Sequence, residues 1–386
     1  MTPDAVSVLS PTFAHVPPGS IDMIYVHVPF CHSKCFYCDF YSTPDLRRME
    51  ALTERVVEEY RLRRDELGAA PAPTLYFGGG TPSILPESDF ARLAGALFRP
   101  GWTEEFTIEV NPEDVTPLKA AFWRSQGVNR VSMGVQSFVD EELKAVNRRH
   151  SAKDAINAYR TLRAAGIENI SCDLIYGLPG QTVGSFRYSV QTMLTLYPEH
   201  ISAYCLSYEP GTVLSRRLEE ERIQAASDEL IEGMFGILCR MLADAGYEHY
   251  EISNFARPGY RSRHNSAYWT GTPYLGLGPG AHSLDSKGIR RYNPSDIRAY
   301  VSSESFPVAI VDMEDETDRL NDCLITALRT ADGLDLLTLE PAAREILMKS
   351  AAPFLSRGKL TLQGSTLRIP ESAWLTSDAI LRDLLF

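Results

Sequence analysis

The sequence predicts an α/β fold built on parallel strands, and two observations carry that prediction. Six short apolar or alternating runs recur between residues 21 and 206, separated by amphipathic stretches at helical spacing. That rhythm is the pattern of successive strand–helix units, which close into a barrel or lie side by side in an open parallel sheet. Glycines and polar residues also gather where the runs end rather than where they begin. Parallel barrels build their active sites at the carboxyl ends of the strands, so this polarity favours ligand binding or catalysis over a passive scaffold.

Taken in order, strands are expected over Ile24–Phe30, Thr74–Phe77, Phe106–Val110, Arg130–Val135, Ile170–Tyr176 and Ile201–Leu206. The helices between them are expected over Leu46–Leu67, Glu87–Phe98, Pro117–Ser125, Ala152–Ala165 and Val183–Leu196. Gly127 and Gly166 fall where helix C-termini favour a left-handed residue. Residues 1–20, rich in Pro, Ser and Thr, read as a loose lead-in, and 21–310 as the barrel with its extension. Residues 311–386 read as a separate small domain. They hold a helical pattern over Thr317–Leu328, a helix near Glu345, a hairpin pattern over Lys359–Ile369 around Gly364-Ser365, and a closing helix over Trp374–Leu385.

Composition narrows the function. The 386 residues carry 38 Lys and Arg against 50 Asp and Glu, a formal net charge of −12. Such a balance argues against nucleic-acid binding and against adhesion to anionic membranes. No apolar run reaches the ~20 residues of a membrane span. The first basic residue is Lys34, so no export signal is expected, and clustered free thiols point to a reducing cytoplasm.

Chemistry enters at Cys31, Cys35 and Cys38, three of the seven cysteines, spaced C-x3-C-x2-C directly after the first strand. Thiols this close cannot all pair as disulfides, and they call for a metal. Zinc would need a fourth ligand, for which His27 or His32 is at hand. A four-iron cluster takes one thiolate per iron, and three cysteines would leave one iron open. Cys172, Cys205, Cys239 and Cys323 are scattered in apolar runs and read as small buried hydrophobes.

The later strand ends carry Gly78-Gly79-Gly80-Thr81-Pro82, Glu109 before Asn111-Pro112, Gln136-Ser137, and Asp173 before Gly177-Leu178-Pro179-Gly180. Glycines there let backbone approach a ligand closely. Carboxylates inside barrel strands need partners, such as ribose hydroxyls or an ammonium group.

These motifs together resemble the family of oxygen-independent coproporphyrinogen III oxidases and their relatives, within the radical S-adenosylmethionine (SAM) superfamily. The match runs from about Ile21 to the C-terminus. The resemblance implies an incomplete parallel (β/α)6 radical-SAM barrel with a small winged-helix-like C-terminal domain. It further implies a [4Fe-4S] cluster on Cys31, Cys35 and Cys38, with SAM contacted by Tyr25, Gly79 and Glu109. Tyr37, Gly80, Thr81, Gln136, Arg148 and Asp173 match positions lining a second SAM site, and Gly80 and Thr81 lie close to both.

Two departures sort the family. The oxidases have a fourth cysteine where this chain has Phe40, and a longer N-terminal segment. The run His264-Asn265-Ser266-Ala267-Tyr268-Trp269 instead resembles the haem chaperone branch, HemW, in which the motif's histidine is implicated in holding haem. The alternative for His264 is a purely structural role in its loop. By this resemblance the chain binds haem and delivers it to haem-dependent proteins such as respiratory enzymes. The rival readings are coproporphyrinogen III oxidation, another radical SAM reaction on a tetrapyrrole, and a zinc-stabilised binding module. The sequence leaves open whether the chain is an enzyme and whether it forms a homodimer.

Overall fold

Met23-Ile24-Tyr25-Val26-His27-Val28 is apolar almost throughout and buried at five of its six positions. That is the character of a parallel strand covered on both faces. In the computed structural model, which describes residues 23–67, 72–302, 310–312 and 315–386, it forms β1 (Met23–Val28). The lead-in expected over 1–20 lies outside the described residues.

Strands β2 (Thr74–Gly79), β3 (Glu105–Val110), β4 (Arg130–Gln136), β5 (Asn169–Tyr176) and β6 (His200–Cys205) follow. Each pairs in parallel with the one before. Helices α1 (Met49–Arg63), α2 (Glu87–Leu97), α3 (Pro117–Ser125), α4 (Asp140–Ala145), α5 (Ala152–Ala164) and α6 (Val183–Leu196) occupy the crossovers. Their starts are written in the chain: Thr116 caps α3, and Ser151 with Asp154 forms a capping box on α5. Gly127 and Gly166 follow α3 and α5 with φ of 98° and 83°, the left-handed termination expected of them. The core lies where sheet meets helices, with Phe77, Phe90 and Phe106 fully buried and packed ring to ring.

The sheet extends beyond the six expected strands. After α7 (Val213–Glu219) and α8 (Asp228–Asp244), β7 (Glu248–Glu251) and β8 (Asn254–Ala256) add antiparallel to the β6 edge. The chain then forms α9 (Arg263–Trp269) and crosses the whole sheet. There β9 (Tyr274–Leu277) pairs in parallel with β1, making a seventh parallel strand. β10 (His282–Leu284), β11 (Arg290–Tyr292) and, after α10 (Ile297–Ser302), β12 (Ile310–Asp312) complete that edge. Among the described residues β6 pairs with β5 and β8 rather than with β1. The boundary expected between 310 and 311 runs through β12, a strand of the large sheet.

The C-terminal unit runs α11 (Glu316–Leu328), β13 (Leu334–Asp335), α12 (Pro341–Ser356), β14 (Thr361–Gln363), β15 (Thr366–Arg368) and α13 (Ser377–Leu384). Helix, strand, helix and hairpin, with the three strands in one small sheet, is a winged-helix-like order. Backbone bonds tie it to the barrel: Ile252 N–H donates to Arg329 C=O (3.0 Å) and Ala331 N–H to Tyr250 C=O (2.9 Å).

Candidate cofactor site

The cysteine loop leaves β1 and is pinned by backbone bonds at both ends. Cys31 N–H donates to Thr43 C=O and Thr43 N–H to Pro29 C=O, while Phe36 N–H reaches Val146 C=O. These bonds hold Cys31, Cys35 and Cys38, all reduced and half-buried, over the carboxyl ends of the strands. There they line a cavity of about 440 Å³ together with Tyr37, Gly79, Gly80, Thr81, Glu109, Gln136, Arg148 and Asp173. Residues expected at the cluster and at two adjoining SAM sites, from six separate stretches of sequence, thus line one cavity. Tyr25 and His264 do not line it.

The glycines are required by space. A Cβ on Gly80 would lie 2.7 Å from the carbonyl oxygen and 2.9 Å from the nitrogen of Phe30, backbone atoms that cannot swing aside. Gly79 has φ of 106°, and a Cβ there would meet the His27 ring at 2.6 Å. With side chains absent, the Gly79 N–H donates to Glu109 Oε2 at 3.0 Å, and Tyr76 Oη–H donates to Oε1 at 2.8 Å. Burial raises the Glu109 carboxyl to about 7, against the Tyr76 hydrogen bond, with Asp173 adding to the rise. Burial likewise pushes Asp173 up to about 6, opposed by hydroxyls of Ser202 and Ser132.

Within the same lining β4 carries an irregularity. Its register with β5 shifts between Gly134 and Gln136, and Gln136 adopts φ of 69°. A non-glycine residue in that region is strained, and strain of this kind concentrates at functional sites. Arg148 reaches into the same space, donating to Gly134 C=O at 2.6 Å, Asn111 Oδ1 at 2.8 Å and Cys35 Sγ at 3.4 Å. Asn111 in turn donates to Thr81 Oγ1 (3.2 Å), whose hydroxyl donates to Cys31 Sγ (3.4 Å). Sequence reasoning noted Asn111 only as a strand end; its place between Arg148 and Thr81 is a tertiary fact. Cys205, expected to be buried, is exposed and lines the cavity, whereas Cys172 is buried as expected.

Tyr25 lies off this lining, its hydroxyl donating to His27 Nδ1 at 3.1 Å, while His27 Nε2–H donates to Tyr41 C=O at 2.9 Å. Both nitrogens of His27 are therefore committed, and it is not a spare zinc ligand. Among the described residues, one group of three His, Cys, Asp or Glu donors lies within a mutual 4.8 Å, and the cluster cysteines are not in it. Two thiolates on one zinc stand about 4 Å apart. Three thiols facing one cavity, with His27 committed elsewhere, suit a cluster that leaves one iron open.

His264 sits in the first turn of α9, anchored where the Arg263 and His264 N–H groups donate to the Glu105 carboxylate at 3.0 Å each. Its ring is buried and stacked on Tyr76 at 4.9 Å, with Nδ1 2.8 Å from Thr74 Oγ1 and Nε2 3.1 Å from Tyr268 Oη. Burial, aided by the Arg130 charge, lowers its pKa to about 3, so the ring is neutral. The neighbouring Tyr268 and Trp269 line a second, larger cavity of about 630 Å³, with Tyr204, Tyr274 and Arg290. Tyr204 borders both cavities.

Comparison with known proteins agrees with this geometry. Residues 25–193 match the radical SAM superfamily. The chain is 33% identical to the haem chaperone HemW of Bacillus subtilis over 80% of this chain and 84% of that one. It is 32% identical to the haem chaperone HemW of Mycobacterium tuberculosis over 95% of this chain and 96% of that one. The chain belongs to the HemW family of radical SAM proteins. Its fold is also that of the radical SAM coproporphyrinogen III oxidase HemN from Escherichia coli, with a TM-score of 0.81 at 22% identity over 97% of this chain and 94% of that one. Membership in the HemW family implies a [4Fe-4S] cluster and SAM, and the residues present fit both. Three thiols face one cavity, Arg148 and Thr81 offset charge on two of them, and side-chain-free backbone at Gly79–Gly80 opens the space beside them. Among the described residues no helix is long and apolar enough to cross a membrane.

Proposed function

We propose that this chain is a haem chaperone: it holds a [4Fe-4S] cluster and SAM at the strand ends, binds haem, and delivers it to haem-dependent proteins such as respiratory enzymes. The observation that carries this reading is the likeness, over 80% of the chain, to a protein named as a haem chaperone. Cys31, Cys35 and Cys38 are assigned to the cluster. Tyr25, Gly79 and Glu109 are assigned to the SAM on it, and Tyr37, Gly80, Thr81, Gln136, Arg148 and Asp173 to the remainder of the cavity. Phe40, 63% exposed on the cavity rim where the oxidases carry their fourth cysteine, supports binding over decarboxylation.

Haem is assigned to the larger cavity, whose Tyr204, Tyr268, Trp269 and Tyr274 offer aromatic faces for a flat macrocycle. His264 would hold the haem iron in this reading. A neutral imidazole ligates iron well when its other nitrogen is held by a partner, and Thr74 supplies that partner at Nδ1. Ligation through Nε2 then requires the Tyr268 hydroxyl to leave it.

Anaerobic reconstitution followed by haem titration, transfer to an acceptor protein lacking haem, and product analysis with coproporphyrinogen III tests the reading. One haem per chain, transfer, and no protoporphyrinogen IX are expected. Robust turnover with SAM and a reductant would promote the oxidase instead, and absence of haem binding would remove the chaperone. Phe40→Cys alone is expected to confer no oxidase activity. His264→Ala is expected to weaken haem at least about tenfold, ~1.4 kcal/mol, with the iron–sulfur signal intact. His264→Gln separates ligand loss from damage to the fold, because it keeps a polar group toward Thr74.

A further inference from the structure

A second constellation of metal-binding side chains lies far along the chain from the cluster cysteines, where the barrel meets the C-terminal domain. Cys239 comes from α8, His249 from β7, and Glu371 from the turn before α13. Their donor atoms all fall within 4.8 Å of one another. Cys239 Sγ lies 3.8 Å from His249 Nδ1, which lies 2.5 Å from Glu371 Oε1. The other imidazole nitrogen, Nε2, faces the Ile252 carbonyl at 3.4 Å. The ring is clamped, stacked on Phe255 at 3.8 Å and met edge-on by Trp374 at 4.2 Å.

We propose that Cys239, His249 and Glu371 bind one zinc ion, which fastens the C-terminal domain to the barrel. The three donors converge on one point. With the ring hydrogen on Nε2 toward the Ile252 carbonyl, the Nδ1 lone pair points at a carboxylate and a thiol. Three electron-pair donors then converge with nothing positive between them. Without a metal only a proton can fill that place.

A divalent ion also settles the thiol. Coordination would deprotonate it outright. Thiolate with imidazole suits zinc, and a histidine whose second nitrogen donates to a backbone carbonyl is the usual form of a zinc ligand. With bonds of about 2.0–2.3 Å, neighbouring ligands stand roughly 3.3–3.7 Å apart. The sulfur–nitrogen distance lies about 0.1 Å beyond this range, and the Glu371 side chain, 52% exposed, is free to draw back from His249 to reach it. The fourth position is left to water on that exposed side.

The test uses the full chain with its cluster reconstituted, loaded with zinc chloride and dialysed against a weak chelator. Metal analysis is expected to give one zinc beside the cluster iron. Cys239→Ser and His249→Gln are each expected to lower zinc at least tenfold while iron is unchanged, and the unchanged iron reports an intact fold. Zinc-dependent thermal stabilisation is expected in the wild type and absent in Glu371→Gln. No zinc in the wild type, or equal zinc in both ligand variants, would overturn the site. Zinc lost with Cys31→Ala but kept in Cys239→Ser would assign it to the cluster loop and likewise sink the proposal. None of these outcomes depends on haem.

Discussion

The two cavities of this chain are built differently. The one at the cysteine loop is shaped by the chain's own bonds: glycines hold its backbone open, Gln136 is held at φ of 69°, and Arg148, Asn111 and Thr81 link toward the thiols. The haem motif is closed. Both ring nitrogens of His264 are occupied, and its neighbour Tyr268 supplies one of the bonds. A preformed site binds with little reorganisation, whereas a closed one must break internal bonds first. The contrast suits a resident cofactor on one side and a passing cargo on the other.

The sharpest way to break the comparison is at the thiols. Replacing Cys31, Cys35 or Cys38 by Ala is expected to abolish the four-iron signal, and replacing Cys172, Cys205, Cys239 or Cys323 to leave it. Electron paramagnetic resonance of the reconstituted, reduced protein reads this directly. A cluster that survives Cys35→Ala would show that the preformed cavity is not its seat.

A smaller effect comes from the buried carboxylates. Glu109, held near 7 rather than near 4.5, binds more protons folded than unfolded between those values. Stability of the cofactor-free protein therefore falls as pH rises through that window, by about 3 kcal/mol at full ionisation. Glu109→Gln is expected to be more stable than the wild type at pH 8 and to flatten the slope between pH 5 and pH 8. Asp173 and Glu251, raised by burial in the same way, contribute to the slope that remains. Urea unfolding at the two pH values measures it, and an unchanged slope in Glu109→Gln would refute the burial argument.

The smallest effect tests the closed side. Tyr268→Phe keeps the aromatic face but frees Nε2 of His264. Haem affinity is expected to rise by the worth of one hydrogen bond, about 0.5–1.5 kcal/mol, or roughly two- to tenfold. Unchanged affinity would mean that Tyr268 does not guard the imidazole.

Much of this was legible in the sequence because it is local. Apolar runs and glycine stops mark the six strands to within two residues, and C-x3-C-x2-C marks its own chemistry. Residues such as Gly80, Glu109 and Asp173 are placed at one face by the polarity of parallel strands alone. What escaped is non-local. Tyr274-Leu275-Gly276-Leu277 is four residues long, and nothing in it says that it pairs with β1. Cys239, His249 and Glu371 lie on three elements, and no spacing motif connects them. His264 carries a haem motif, but the Thr74 that holds its ring is 190 residues away.

The pairing of β9 with β1 also bears on how the protein is made. β1 emerges among the first strands of the sheet, and its second neighbour is synthesised roughly 250 residues later. At 5–20 residues per second a ribosome takes about 12–50 s to cover that distance. Throughout that interval one edge of β1 offers unpaired N–H and C=O groups, a template for wrong partners, and the cysteine loop hangs from its end. The nascent chain therefore passes through a stage in which the cysteine loop is joined to a strand with one open edge.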